Sequence, residues 1–156
     1  MKVLLFFLLV YFQFINGFAQ SYKMEGNELV FDEVVHFKNG TAELTIENQK
    51  ALQDVKDFLN EKKYVSLMRI EGHFEGNHQN TQALSEKRAL SVCKWLITQG
   101  IDCKRLISVG FGNTKPNGAN NTRISFVIAA LKDKLIGGMP ADGGGQIAGD
   151  PCKISK

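Results

Sequence analysis

Two short stretches carry the residues with chemistry to offer: Gly72-His73-Phe74-Glu75 and Leu84-Ser85-Glu86-Lys87-Arg88-Ala89. Glu75 lies just past the end of an expected strand, and Arg88 lies in the first turns of the expected helix that follows. If the two converge, they offer a carboxylate and a guanidinium close together. That suits a small zwitterionic ligand better than a catalytic step. The plain alternative is two solvated charges with no common task. His73, Glu75 and His78 also spell His-x-Glu-x-x-His, a three-donor set for zinc. A hydrolase of the His-Glu-x-x-His type needs its histidines one helical turn apart, however, and Glu75-Gly76-Asn77-His78 does not read as helix. Ser85 and Ser91 lack a convergent base, and Gly110-Phe111-Gly112 reads as a tight turn rather than a phosphate cradle. We assign no catalytic residue, no metal and no cofactor.

The elements that must position Glu75 and Arg88 follow from hydrophobic spacing. Leu29 to Phe37, rich in Val and Phe, reads as a strand closed by Asn39-Gly40. Thr45 is placed to cap a helix from Ile46 to about Lys62, with Leu52, Val55, Phe58 and Leu59 on one stripe. Val65 to Glu71 reads as a second strand. After the polar loop Gly72 to Gln79, Asn80 or Thr81 can cap a helix to about Gln99, with Ala89, Val92, Cys93 and Leu96 on one side and Gly100 as its stop. Leu106 to Val109 and Thr122 to Leu131 complete the strands. The order β-α-β-α-β-β predicts an α+β domain, with two helices packed on a four-stranded mixed sheet.

Composition sets the limits of that domain. Lys2, the apolar run Val3 to Ile15 and the small residues of Gly17-Phe18-Ala19 predict a secretory signal peptide over residues 1–19. The run is short for a membrane span, and no later segment is apolar enough to cross one. No cysteine near the cleavage site offers a lipid anchor. The fold is expected over 20–132, and the Gly-rich residues 133–156 are expected to be a flexible tail. The formal net charge of +3, lowered by one on loss of Lys2, gives no argument for nucleic acid or for anionic lipid. Export permits a disulfide. Cys93–Cys103 would tie the second helix to the loop after it, while Cys152 can instead pair with either of them or with another chain. An odd count leaves at least one thiol over.

Several motifs in order resemble the OmpA-like domain, the C-terminal module of outer-membrane protein A. Val35-His36-Phe37-Lys38-Asn39-Gly40-Thr41-Ala42-Glu43-Leu44 resembles its opening strand and turn. Gly72-His73-Phe74-Glu75 resembles its Gly-His-Thr-Asp strand end, and Leu84 to Val92 its Leu-Ser-x-x-Arg-Ala-x-x-Val helix. Gly110-Phe111-Gly112 and Asn121-Thr122-Arg123-Ile124 follow in the same order. The resemblance implies non-covalent binding of peptidoglycan in the periplasm, with the acid and the helix arginine gripping the diaminopimelate of the stem peptide. It implies peptidoglycan-binding roles for Glu75, Arg88, Asn80, Thr81 and Phe74, with Arg123 and His73 in support. The chain departs from the pattern at Phe74-Glu75, where the family carries Thr-Asp, at Thr81 in place of an asparagine, and in a shorter loop. The alternative is a scaffold of the same fold that no longer binds peptidoglycan and instead meets a protein of the cell envelope.

Overall fold

A tight turn at Gly26-Asn27 joins strand β1 (Tyr22–Glu25) to β2 (Glu28–Phe31), with Gly26 at φ 63° in the left-handed region that glycine enters freely. The structure is a computed structural model that describes residues 22–75, 80–115, 121–137 and 143–153. A 3-10 turn, Ile46–Asn48, leads into helix α1 (Gln49–Glu61). Strand β3 (Val65–His73), helix α2 (Thr81–Thr98), a 3-10 turn at Cys103–Arg105, β4 (Leu106–Gly112) and β5 (Arg123–Leu131) follow, then the short strands β6 (Lys134–Leu135) and β7 (Gln146–Ile147). The sheet order is β1-β2-β5-β3-β4-β7, with β6 paired to β5. Among the described strands only β3 and β4 run parallel, so the sheet is mixed, and the four expected strands occupy its centre.

One core joins the two helices to the sheet. Leu52, Val55 and Leu59 from α1 and Ala89, Val92 and Leu96 from α2 pack with Val65, Met68 and Ile70 of β3. Strand periodicity then sends Arg69, Glu71 and His73 to the opposite face of β3. All three are nevertheless buried.

Four expectations need correction. The first strand stops at Phe31 instead of Phe37, because β5 offers β2 partners only at Glu28 and Leu29. Beyond it the chain forms a loop whose Phe37 bridges Leu44. Strand β1 was not expected at all, although Gly26-Asn27 between alternating apolar residues is a hairpin signal. Thr45 makes no side-chain cap; Asn48 instead ties the loop, donating to the Thr45 carbonyl at 3.0 Å and exchanging hydrogen bonds with the His36 backbone. Over its described part, the C-terminal region is not a free tail. β6 pairs with Ala130 and Leu131, and β7 pairs with Val109 and Gly110.

Of the pairings the three cysteines leave open, the fold does not take Cys93–Cys103. Cys103 bonds Cys152, and Cys93 is free and buried. The apolar stripe of α2 carries Cys93 into the core, where burial pushes its thiol up to about 12. Cys103 sits in the turn after the helix and can meet the returning C-terminal chain. The bond closes a loop across a sequence separation of 49.

Helix α2 lies directly against two glycines of the sheet, with no room for a side chain between them. A Cβ on Gly72 would sit 2.0 Å from the Ser85 carbonyl oxygen, and one on Gly110 would sit 2.4 Å from Glu86 Cγ and 2.6 Å from Glu86 N. Ser85 Oγ donates to the Gln82 carbonyl at 2.7 Å and accepts the Gly112 N–H at 2.9 Å. The serine thereby locks the helix to the end of β4. Gly72→Ala is expected to destabilise the protein by about 3 kcal/mol or more, because the obstacle is backbone and cannot swing aside; urea denaturation measures it. Cys103→Ser should cost about 2–4 kcal/mol by the same method, through the longer unfolded loop it releases.

Candidate functional site

Arg88 follows Ser85 by three residues on α2, so the glycine contact that seats Ser85 also sets where the guanidinium lies. Its side chain is only 6% exposed. The guanidinium carbon lies 4.8 Å from the centre of the Phe37 ring and 5.0 Å from that of Phe74. Two phenyl rings therefore hold one flat cation. Nε donates to the Thr41 carbonyl at 2.8 Å. The loop that replaces the expected end of the first strand supplies both Phe37 and Thr41. It is closed by Lys38 N–H to the Glu43 carbonyl at 2.9 Å and Thr41 N–H to the Lys38 carbonyl at 3.0 Å. Phe74 is fixed from below by its N–H on the Gly112 carbonyl at 2.8 Å.

Phe37, Phe74 and Arg88 line a cavity of about 510 Å³, shared with His36, Thr122 and Arg123. Burial lowers the pKa of Arg88, yet guanidinium stays charged at any ordinary pH. Among the described residues no carboxylate pairs with it. With Nε committed to Thr41, its two terminal nitrogens are the donors left to bind a ligand oxygen pair in parallel. Arg123 is more occupied: its Nη1 donates to the Asn121 side-chain oxygen and its Nε to Ser125 Oγ at 3.3 Å. Its pKa is lowered by burial, against the opposing pull of Glu28 and Glu71.

Glu75 does not line this cavity. It is exposed, its N–H donates to Thr122 Oγ1 at 3.1 Å, and its carboxylate accepts the Asn121 N–H at 3.4 Å. Thr122 lines the cavity, so Glu75 stands at the rim rather than beside Arg88. Asn80 and Thr81 begin α2, where Asn80 makes no side-chain cap and Thr81 is buried; neither lines the cavity. The structure thus brings Phe74, Arg88 and Arg123 together and leaves Glu75, Asn80 and Thr81 around them. Phe37 and Thr41 were not singled out from sequence. Their signal was the loop motif itself, which had been read as strand and turn.

His73 belongs to the other face of the sheet. Its ring stacks on Phe111 at 5.2 Å with an 8° interplanar angle, and Nε2 lies 3.2 Å from Glu71 Oε2. Arg69 contacts the other oxygen of Glu71 at 2.6 Å. Burial works to raise the Glu71 pKa. The hydrogen bond with His73 and the charge of Arg69 outweigh it and hold the carboxyl below its ordinary value of 4.5. This buried chain stiffens the end of β3 from behind, just before Phe74 and Glu75. Of the triplet His73, Glu75 and His78, the last lies outside the described residues. His73 packs against Phe111 and Glu71 and does not line the cavity.

The OmpA family matches residues 36–128, a span that holds the Phe37 loop, both helices, β3, β4 and most of β5. Among solved structures, the OmpA-like domain of FopA1 from Francisella tularensis is 25% identical, with a TM-score of 0.55 over 71% of this chain and 80% of that one. The cell wall anchor of the type VI secretion system (T6SS) from Pseudomonas aeruginosa is 22% identical, with a TM-score of 0.56 over 72% and 90%. The peptidoglycan-associated lipoprotein from Burkholderia pseudomallei is 24% identical, with a TM-score of 0.52 over 60% and 86%.

Glu71→Gln removes the anion between Arg69 and His73 and should cost about 3 kcal/mol at neutral pH. Because the folded pKa is depressed, the wild-type contribution is complete above the unfolded value of 4.5 and is lost as pH falls through the folded one. Chemical denaturation across pH 3–7 should show the two proteins converging in acid.

Proposed function

Because the chain belongs to the OmpA family, we propose that it binds peptidoglycan non-covalently, through the diaminopimelate of the stem peptide, and performs no catalysis. The observation that carries this is Arg88: a buried guanidinium against two phenyl rings, lining a cavity, with no carboxylate paired to it among the described residues. Leaving such a charge uncompensated costs several kcal/mol, which an anionic ligand recovers. The free end of diaminopimelate carries a carboxylate and an ammonium on one carbon. Arg88 takes the carboxylate through its two terminal nitrogens, a geometry lysine cannot copy. Glu75, at the rim, gives up its long contact with the Asn121 N–H to accept from the ammonium. Arg123 holds the Asn121 turn on which Glu75 rests, and Phe74 shields the ion pair from water. Two neighbours in fold bear names that speak of the wall, a peptidoglycan-associated lipoprotein and a cell wall anchor, and these support the reading. With residues 1–19 as a cleaved signal, the domain acts in the periplasm at the wall.

The second reading is a scaffold without wall affinity. The position of Glu75 outside the cavity favours it, since a clamp with one jaw at the rim binds more weakly. Co-sedimentation with purified sacculi separates the two. The wild type is expected to sediment, Arg88→Ala to lose tens-fold in affinity, or about 2–3 kcal/mol, and Arg88→Lys to recover little of it. A wild type that stays in the supernatant establishes the scaffold reading.

A further inference from the structure

The end of the sheet opposite Arg88 carries an apolar cavity with a basic rim. The cavity, of about 380 Å³, lies between the β1–β2 hairpin, the C-terminal end of α1 and β6. Buried Phe58 and Ile128 floor it, and Met24, Tyr64 and Ile136 stand at its edge, 46%, 49% and 49% exposed. Leu135, the residue before Ile136 and the last of β6, is 63% exposed. Lys62 lines the cavity, and Lys63, Lys132 and Lys134 are exposed on the adjoining turns. Lys62 pairs with Glu61 at 2.6 Å. Among the described residues the other three lysines have no carboxylate partner, and Asp133 is the only other acid on these turns.

The turn that presents these groups is held firmly. Lys132 and Asp133 both take left-handed conformations, with φ of 47° and 63°. The Lys132 N–H donates to the Tyr64 carbonyl at 2.8 Å, and the Asp133 N–H to Ser66 Oγ at 2.8 Å. The tip therefore stands as a fixed projection with Leu135 and Ile136 next to lysines. Tyrosine and long aliphatic residues among lysines form the composition of an interfacial surface: rings and chains enter the headgroup boundary while ammonium groups reach phosphates.

We propose that this end of the domain docks onto an anionic bilayer surface, with Tyr64, Leu135 and Ile136 entering the interface and Lys63, Lys132 and Lys134 meeting lipid phosphates. Strand β3 has nine residues, which at about 3.3 Å each separates the two ends by roughly 30 Å. One end then faces the bilayer while Arg88 at the other faces away from it. Net charge could not reveal this, because the arrangement is local.

Residues 20–156 contain every described element, so that chain is the protein to test. It is mixed with vesicles of phosphatidylcholine alone or containing phosphatidylglycerol, and the bound fraction is measured by sedimentation. Binding is expected only with the anionic lipid. Lys132→Ala/Lys134→Ala should weaken it about five-fold per lysine, and Leu135→Ser/Ile136→Ser by about ten-fold or more. Both variants replace exposed side chains, so unchanged circular dichroism and unchanged sacculus binding are expected beside the loss. Absence of vesicle binding overturns the proposal. So does binding that ignores the Leu135/Ile136 change, which is bare charge attraction. Self-association that the same variants abolish, without vesicle binding, also overturns it and makes the surface an interface between copies.

Discussion

The rest of the structure depends on the direct contact of α2 with the backbones of β3 and β4 at Gly72 and Gly110. With no side chain between them, the helix rests directly on the strand backbones. That depth lets Ser85 hydrogen-bond the Gly112 N–H. One turn later it carries Arg88 to the loop holding Phe37 and Thr41. The motifs Gly-His, Leu-Ser-x-x-Arg-Ala and Gly-Phe-Gly are thus parts of one piece of packing. The glycines make the approach possible, the serine secures it, and the arginine uses it.

This also explains what could be read from sequence and what could not. The centre of the fold was legible because its residues obey local rules: the apolar stripes of α1 and α2, and the strand patterns of β3, β4 and β5. Arg88 was legible because its spacing from Ser85 lies within one helix. The packing around it was not, since Phe37 and Phe74 lie far apart in sequence and nothing local says that both rings meet one guanidinium. The loop after Phe31 looked like strand because Val34, Val35 and Phe37 have strand-like side chains. Its fate was decided by the lack of a partner on β5. Spacing left open whether Cys103 pairs with Cys93 or with Cys152, whereas the helix stripe that carries Cys93 places it in the core. The C-terminal strands β6 and β7 are two residues long and lie among glycines. Their pairing depends on a sheet edge and a disulfide that only the assembled fold provides.

The two faces of β3 divide the labour around the site. Toward the helices, Met68, Ile70 and Gly72 build the core and seat α2. On the reverse, Arg69, Glu71 and His73 form a buried charged chain against Phe111. Such a chain adds little net stability compared with apolar packing. It does fix the direction in which β3 delivers Phe74 and Glu75. The proposed functions then sit at the two ends of the same strand, a cation for the wall at one and a greasy, basic projection for a bilayer at the other. A domain built this way can bridge the two through a rigid sheet.

The central claim is that the buried, ring-clamped Arg88 reads a carboxylate on the stem peptide. Diaminopimelate and lysine differ at the side-chain end by that one carboxylate, so calorimetric titration with a tripeptide stem ending in either residue isolates it. The account predicts that the diaminopimelate peptide binds tens-fold more tightly than the lysine peptide, and that Arg88→Ala abolishes the difference. Equal affinity for the two peptides, or binding of neither, would contradict it.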